Sequence, residues 1–262
     1  VVAPATATTI AKLAPGIADN IVALTALAMN SPIVIAPAMD AQMYSNTVVQ
    51  SHIEALEARG VTVIGPESGR LASGSSGVGR LTDPIEIVAV TRGLLGKVDG
   101  DLRGRRLLIT AGGTREAIDP VRFIGNHSSG RMGFALVEAA RDRGADPILI
   151  STQDPPAGLY GLEIVRVESA LEMHKAVKQR LSEIDVLVMA AAVADYQPIS
   201  PDDHKLRKHS DRGFVLEMEQ TRDILKDVNG KFIKIGFAAE TNNLIENAQA
   251  KLQAKKLDLI VA

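Results

Sequence analysis

The residues best placed to do chemistry lie in the stretch GGTREAIDPVRFIGNHSSGRMG, Gly112 to Gly133, which follows the apolar run RRLLIT and leads into the helical pattern GFALVEAARDRG. A strand that passes through a glycine turn into a helix offers bare backbone N–H groups to a phosphate. Gly112, Gly113 and Thr114 form the first candidate cradle, and Ser128, Ser129 and Gly130 form the second at the helix entry, with Arg122 and Asn126 between them. The glycines do not have the G-x-G-x-x-G spacing of a dinucleotide site, which disfavours an NAD-dependent oxidoreductase. Taken separately, each cradle reads equally well as a plain loop capped by Ser128.

Further candidates follow along the chain. In MAAAVADYQP a run of small residues precedes Asp195, at the carboxyl edge expected of a parallel strand, where ligands bind. Asp195 could hold Mg²⁺ carried by phosphates, since Mg²⁺ takes one or two carboxylates and keeps phosphate and water for the rest. It could equally be a turn former. HKLRKHSDRG packs Lys205, Arg207 and Lys208 together, as a clamp for polyphosphate or as a solvated surface. Phe237, in GFAAETNN, is either a platform for a base or core, and Lys251 and Lys255 share a helix face four residues apart.

These side chains need a scaffold, and the sequence supplies an alternation of apolar strand-like and amphipathic helix-like segments. The chain has 262 residues, 46% hydrophobic, enough for one large or two ordinary domains. The reading is α/β, with two doubly wound, Rossmann-like parallel sheets. Residues 1–96 form the first domain, 97–104 a glycine-rich, charged linker and 105–262 the second. Expected helices include Ile17 to Asn30, the amphipathic SNTVVQSHIEALEARG and PIEIVAVTRGLLG; FVLEME is expected as a strand. The Gly/Ser-rich segment Pro66 to Pro84 is expected as a lid or a disordered loop.

A formal net charge of -2 and 3% aromatic residues argue against a nucleic-acid partner. Without cysteine there is no disulfide, thiolate metal site or cysteine nucleophile. No membrane partner is expected, and the expected location is cytoplasmic. The opening VVAPATATT and the closing KKLDLIVA read as cut strands, so the chain is expected to be a piece of a longer protein.

Taken in order, GGTREAIDPVRFIGNHSSGRMG, AAAVADY, KLRK, GFAAET and KLDLIVA resemble the phosphopantothenate–cysteine ligase domain of the bifunctional coenzyme A biosynthesis flavoproteins. The first half resembles the phosphopantothenoylcysteine decarboxylase domain that precedes it. The resemblance implies that the carboxylate of 4'-phosphopantothenate attacks CTP to give an acyl cytidylate and pyrophosphate, and that cysteine then displaces CMP. It implies that Asn126 contacts the acyl intermediate with Arg122 beside it, and that Lys205 acts in converting the intermediate. Ala191, Asp195, Phe237, Lys251 and Lys255 become nucleotide contacts, Asp195 also a Mg²⁺ contact; Gly113 and Ser129 keep the phosphate-contact reading of the two cradles. Homo-oligomerisation is implied as well.

For the first half the resemblance implies FMN. APATATTIAKLAPGIADN resembles the flavin-binding segment, with Thr6 and with Thr8 in place of the usual Asn. PAMDAQMY resembles the family's P-x-M-N-x-x-M-W signature, with Asp40 for Asn and Tyr44 for Trp; LASGSSGVGR resembles the glycine-rich flap, with Ser73 for the catalytic cysteine. An ionised Asp40 would repel a substrate carboxylate where an amide could donate to it, and a serine is a far weaker acid than a thiol. The expectation is a decarboxylase-like fold whose decarboxylation is weak or lost. A second reading of the whole is a flavin- or nucleotide-binding scaffold, or regulatory subunit, without catalysis.

Overall fold

A computed structural model describes residues 1–159, 161–207, 215–239 and 242–262. It divides into two compact units, Val1–Leu94 and Leu95–Ala262. Lys208 of the basic run, Phe214 of the expected strand FVLEME, and Glu240 and Thr241 of GFAAET lie outside the described residues.

The first unit runs β1 (Val2–Ala5), α1 (Ala7–Leu13), α2 (Ile21–Ala28), β2 (Val34–Pro37), α3 (Ala41–Tyr44), α4 (Thr47–Glu57), β3 (Thr62–Val63), β4 (Glu67–Arg70), β5 (Ser76–Arg80) and the start of α5 (Pro84–Asp99). β1, β2 and β3 form a parallel sheet in that order. Ala5 and Ile35 pack with Ile10 of α1 and Ile53 and Leu56 of α4; Val34 and Ala36 point the other way, towards Ile64 and Ile87. This alternation is the period of two that places helices on both faces of a sheet. Two expectations are corrected here. The helix expected over 17–30 is confined to Ile21–Ala28, because the Asn20 side chain caps its start by accepting from the Ala23 N–H at 3.0 Å. The Gly/Ser-rich stretch is an antiparallel hairpin, β4 with β5, rather than a structureless lid.

The second unit continues with β6 (Arg106–Ala111), β7 (Arg115–Ala117), β8 (Phe123–Gly125), α6 (Arg131–Asp142), β9 (Asp146–Ser151), β10 (Glu163–Arg166), α7 (Ala170–Lys178), β11 (Val186–Met189), β12 (Tyr196–Pro198), β13 (Met218–Gln220), α8 (Ile224–Asp227), β14 (Ile233–Phe237), α9 (Leu244–Ala254) and β15 (Leu259–Val261). Six strands form one parallel sheet in the order β10-β9-β6-β11-β14-β15. From β6 the chain first builds outward through β9 and β10, then returns to the other side of β6 with β11, so the order in which strands are added reverses between β6 and β11. Leu107, Ile109 and Ala111 pack against Phe134, Val137 and Ala140 of α6, while Leu108 faces Met173 and Val177 of α7 and Leu225 of α8. β13, which takes Met218 and Glu219 from the expected strand FVLEME, pairs antiparallel with β12 outside the main sheet.

Gly100 of the expected linker, and Gly96 just before it, have another use. α5 continues to Asp99, and a Cβ on Gly96 would lie 2.5 Å from the Asp142 carbonyl oxygen. A Cβ on Gly100 would run into the Arg143 carbonyl, and the Leu102 N–H donates to that carbonyl at 3.0 Å. These residues bring the end of α5 against the end of α6. Among the described residues no helix is long and apolar enough to cross a membrane.

Candidate functional site

The two loops that leave the sheet at its reversal, after β6 and after β11, are stapled together. The Ala192 N–H donates to the Gly112 carbonyl at 2.8 Å, the Thr114 N–H to the Ala192 carbonyl at 3.2 Å, and the Ala194 N–H to the Thr114 hydroxyl at 2.8 Å. The amide of Thr114 is thus spent on the Ala192 carbonyl and its buried hydroxyl accepts from Ala194, so Thr114 serves to hold the alanine run and does not stand open as a donor of the GGT cradle. Gly112 turns the chain at φ 87°, and a Cβ on Gly113 would strike the Asn126 carbonyl oxygen. At Gly133 a Cβ would lie 2.5 Å from Ala111 Cβ, so α6 packs directly on β6. These are the tasks glycines perform in a dinucleotide fold, here spread around an inserted β7–β8 hairpin.

Beside this seam opens a cleft of about 690 Å³. Its floor is Ala190 to Asp195, and its walls include Asn126, Phe237 at the end of β14, Lys251 of α9 and its C-cap Lys255, and the segment Gln220 to Lys226. The structure therefore gathers Asn126, Ala191, Asp195, Phe237, Lys251 and Lys255, which lie as much as 129 positions apart in the sequence, from Asn126 to Lys255. The Asn126 amide donates to the Val193 carbonyl at 3.0 Å, which fixes the orientation of its side chain over the alanine floor. Lys251 donates to the Phe237 carbonyl at 2.7 Å, and Lys255 sits 3.2 Å from Asp223.

Sequence reasoning missed the segment before and within α8. Thr221 ties it to the floor, donating from its N–H to the Asp195 carbonyl at 2.9 Å, while Asp223 caps α8 and pairs with Lys255. Arg222 and Lys226 add two cations to the lining. The only sequence signal was Asp223 placed three residues before Lys226, the spacing of an N-cap. Lys234 was also missed. It is 5% exposed in the middle of β14, and its ammonium donates to the carbonyls of Leu225 at 2.9 Å, Val228 at 2.8 Å and Lys255 at 3.3 Å. One buried cation thus joins the C-terminal ends of α8 and α9, the two helices that carry the cleft's lysines. Burial pulls its pKa below the ordinary lysine value, against the pull of Asp258.

Four expected residues stand outside the cleft lining. Gly113 supports Asn126 from behind, and Ser129 is exposed ahead of α6. Lys205 is exposed on the connection between β12 and β13. Arg122 turns to Asp119, donating from Nε to Oδ2 at 2.9 Å, and to the Leu206 carbonyl at 2.6 Å. Its position beside Asn126 in the sequence does not place its guanidinium beside Asn126 in the cleft.

Among the described residues no group of three or more His, Cys, Asp or Glu could hold a metal on its own. The donor set fits Mg²⁺ delivered by phosphates. Asp195 supplies one exposed carboxylate, without an ion pair among the described residues, in a cleft with four cationic side chains to meet the remaining anionic charge.

In the first unit, the Ala38 N–H donates to the Ala5 carbonyl at 3.1 Å and the Met39 N–H to the Gly79 carbonyl at 3.0 Å. These bonds bring the end of β1, the loop after β2 and the hairpin to one sheet edge. Thr6, which caps α1, Thr8 and Asp40 therefore fit a flavin site at the carboxyl ends of parallel strands. Asp40 and Ser73, 33 residues apart, meet directly, with the Ser73 hydroxyl donating to Asp40 Oδ2 at 2.7 Å. The Gln42 N–H donates to Oδ1 at 3.0 Å. The Ser73 hydroxyl first, then the Gln42 amide, pull the Asp40 pKa below the usual carboxylate range against desolvation, so the group is ionised at neutral pH.

The fold and cleft define a two-unit, parallel-sheet α/β protein whose larger unit carries a cation-lined cleft at a topological switch point. The chain belongs to the DNA/pantothenate metabolism flavoprotein family: that family's C-terminal-domain model matches residues 102–262, and the flavoprotein model matches residues 1–96. The coenzyme A biosynthesis bifunctional protein CoaBC of Bacillus subtilis (strain 168) is 46% identical over 269 residues, covering 100% of this chain and 66% of the relative. A cysteine/cysteine sulfinic acid decarboxylase from an unknown prokaryotic organism is 42% identical over 276 residues, covering 99% of this chain and 74% of the relative. The crystal structure of the C-terminal domain of a CoaBC protein matches at a TM-score of 0.53 and 46% identity, over 62% of this chain and 78% of the other. The chain spans just under two thirds of the length of the CoaBC relatives, 66%.

Proposed function

We propose that the larger unit, in the protein of which this chain is part, ligates 4'-phosphopantothenate to cysteine at the expense of CTP in coenzyme A biosynthesis. The observation that carries the reading is the single cleft that gathers Asn126, Ala191, Asp195, Phe237, Lys251 and Lys255 at the switch point. A carboxylate does not react with an amine at neutral pH until it is activated, and activation by a nucleoside triphosphate brings two polyanions together. The cationic wall of Arg222, Lys226, Lys251 and Lys255 offsets that repulsion, and the alanine floor lets the ligand approach backbone groups closely. Asn126, held by its bond to Val193, contacts the acyl group, Phe237 meets the nucleoside, and Asp195 shares Mg²⁺ with the phosphates. Gly113 and Ser129 act at the margin of the site, and Lys205 acts in the second half of the reaction. The partners are small molecules, and the assembly is a cytoplasmic homo-oligomer.

The smaller unit, residues 1–96, binds FMN through Thr6 and Thr8 and decarboxylates weakly or not at all. The ionised Asp40, capped by Ser73, supports this, because it sets a negative charge where the substrate's carboxylate would have to settle. The test of the ligase reading is pyrophosphate release by the full-length protein from 4'-phosphopantothenate, CTP and Mg²⁺ without cysteine, with mass detection of the acyl cytidylate. Release that collapses in N126D and D195N is expected. Flavin binding with no pyrophosphate from the wild type would favour a non-catalytic scaffold.

A further inference from the structure

The connection between β12 and β13 leaves the cleft after Tyr196 and returns to it at Gln220, carrying Lys205 between. Lys205 is exposed, and its ammonium makes no hydrogen bond or ion pair among the described residues. The backbone around it is held at two points on the turn that joins β7 to β8. The Asp202 N–H donates to the Ile118 carbonyl at 2.9 Å. On the other side of Lys205, both backbone groups of Leu206 are gripped: its N–H donates to Asp119 Oδ2 at 3.1 Å, and its carbonyl accepts from Arg122 Nη2 at 2.6 Å.

Asp119 is the centre of this clamp. Its side chain is fully buried, and Oδ1 accepts from the Val121 and Arg122 N–H groups at 2.8 Å each. Oδ2 accepts from the Arg122 guanidinium as well as from Leu206. A buried carboxylate is tolerated only with such a set of donors. Burial alone would raise its pKa, but the Val121 amide, the Arg122 guanidinium and the Leu206 amide outweigh that and hold it far below the usual carboxylate range. The pair spans 87 residues to fix the one residue that follows Lys205. An exposed lysine whose backbone is held on both sides has the root of its stem fixed, while its ammonium is unpaired among the described residues.

We propose that Asp119 is a positioning residue for Lys205: through Arg122 and the backbone of Leu206 it sets where the lysine ammonium meets the acyl cytidylate. This deepens the ligase reading above and rests on it. Displacing a catalytic group by about 1 Å lowers turnover by as much as about a hundredfold.

The test is a double-mutant cycle in the full-length protein, combining D119N and R122M with K205Q, with the two half-reactions measured separately. The expected result is that D119N and R122M each slow conversion of the intermediate by about a hundredfold, with the acyl cytidylate accumulating and the KM for CTP within about threefold of wild type. In the K205Q background the same substitutions are expected to add almost nothing, because their target has been removed. Hydrogen exchange at the Leu206 amide is expected to accelerate in D119N whether or not substrate is present. Additive losses in the cycle, or unchanged exchange at Leu206, would overturn the proposal, and a merely structural role would give that additivity. A wild-type protein that releases no pyrophosphate would instead fail the ligase reading, and the clamp's role in catalysis would fall with it.

Discussion

Replacing Lys234 with methionine tests how the cleft's cationic wall is held. The substitution keeps a stem of similar length and removes an ammonium that donates to three carbonyls, Leu225, Val228 and Lys255. A buried acceptor left without its donor costs about 1–3 kcal/mol, and carbonyls with a second lone pair fall near the low end, so the three together cost about 3 kcal/mol. Against this stands the relief of the desolvation that depresses the lysine pKa. The acceptors win, and the net loss at neutral pH is about 1–2 kcal/mol. Because the folded-state pKa lies below the unfolded one, the unfolded chain binds more protons between the two values. Wild-type stability therefore rises as pH climbs from the depressed pKa towards the ordinary lysine value, and K234M loses that rise. Pulse proteolysis in urea at several pH values measures both effects. Loosened ends of α8 and α9 are also expected to raise the KM for CTP about tenfold, equivalent to about 1.4 kcal/mol of lost positioning of Lys251 and Lys255. A K234M protein as stable as wild type at neutral pH, with an unchanged KM, would refute the reasoning, since desolvation would then have been the larger effect.

In the smaller unit, S73C alone is expected to restore no CO₂ release from phosphopantothenoylcysteine, because Asp40 keeps its charge; D40N combined with S73C is expected to exceed either single variant by about tenfold, and equal rates in all three would count against the charge argument. Gly133→Ala places a Cβ 2.5 Å from Ala111 Cβ and 2.8 Å from the Thr110 carbonyl oxygen, so α6 must lift off β6; a loss of about 1–3 kcal/mol in urea unfolding is expected, and a neutral result would show that the helix can shift freely. The Asp119 clamp has a pH signature. With its pKa depressed, its stabilisation is complete above the unfolded carboxylate value and is lost only as pH falls through the much lower folded one. Slow exchange at the Leu206 amide, corrected for intrinsic rates, should therefore persist in wild type below pH 4, where D119N already exchanges fast.

The sequence by itself determined the alternation of strands and helices, and hence the class of fold, because periods of 2 and 3.6 in apolar residues leave few ways to bury both faces of a sheet. It also singled out part of the cleft lining, since Asn126, Asp195, Phe237, Lys251 and Lys255 sit in an order that belongs to one family. What the pattern could not give was the partner of each group. Thr114 reads as a phosphate donor until its amide and hydroxyl are found holding Ala192 and Ala194. Gly100 reads as linker, and Gly96 as the last residue of the first domain, until their missing side chains prove to be the space that the end of α6 occupies. Arg122 reads as a site residue through its nearness to Asn126, yet it reaches away to Asp119 and to the backbone of Leu206. Lys234 gave no signal, because a lone lysine in a strand reads as exposed until three carbonyls, two from the end of the preceding helix and one from the end of the following helix, close around it. Local periodicity is written in neighbours along the chain. A hydrogen bond or a close approach depends on residues tens of positions away, and only the folded chain decides which donor meets which acceptor.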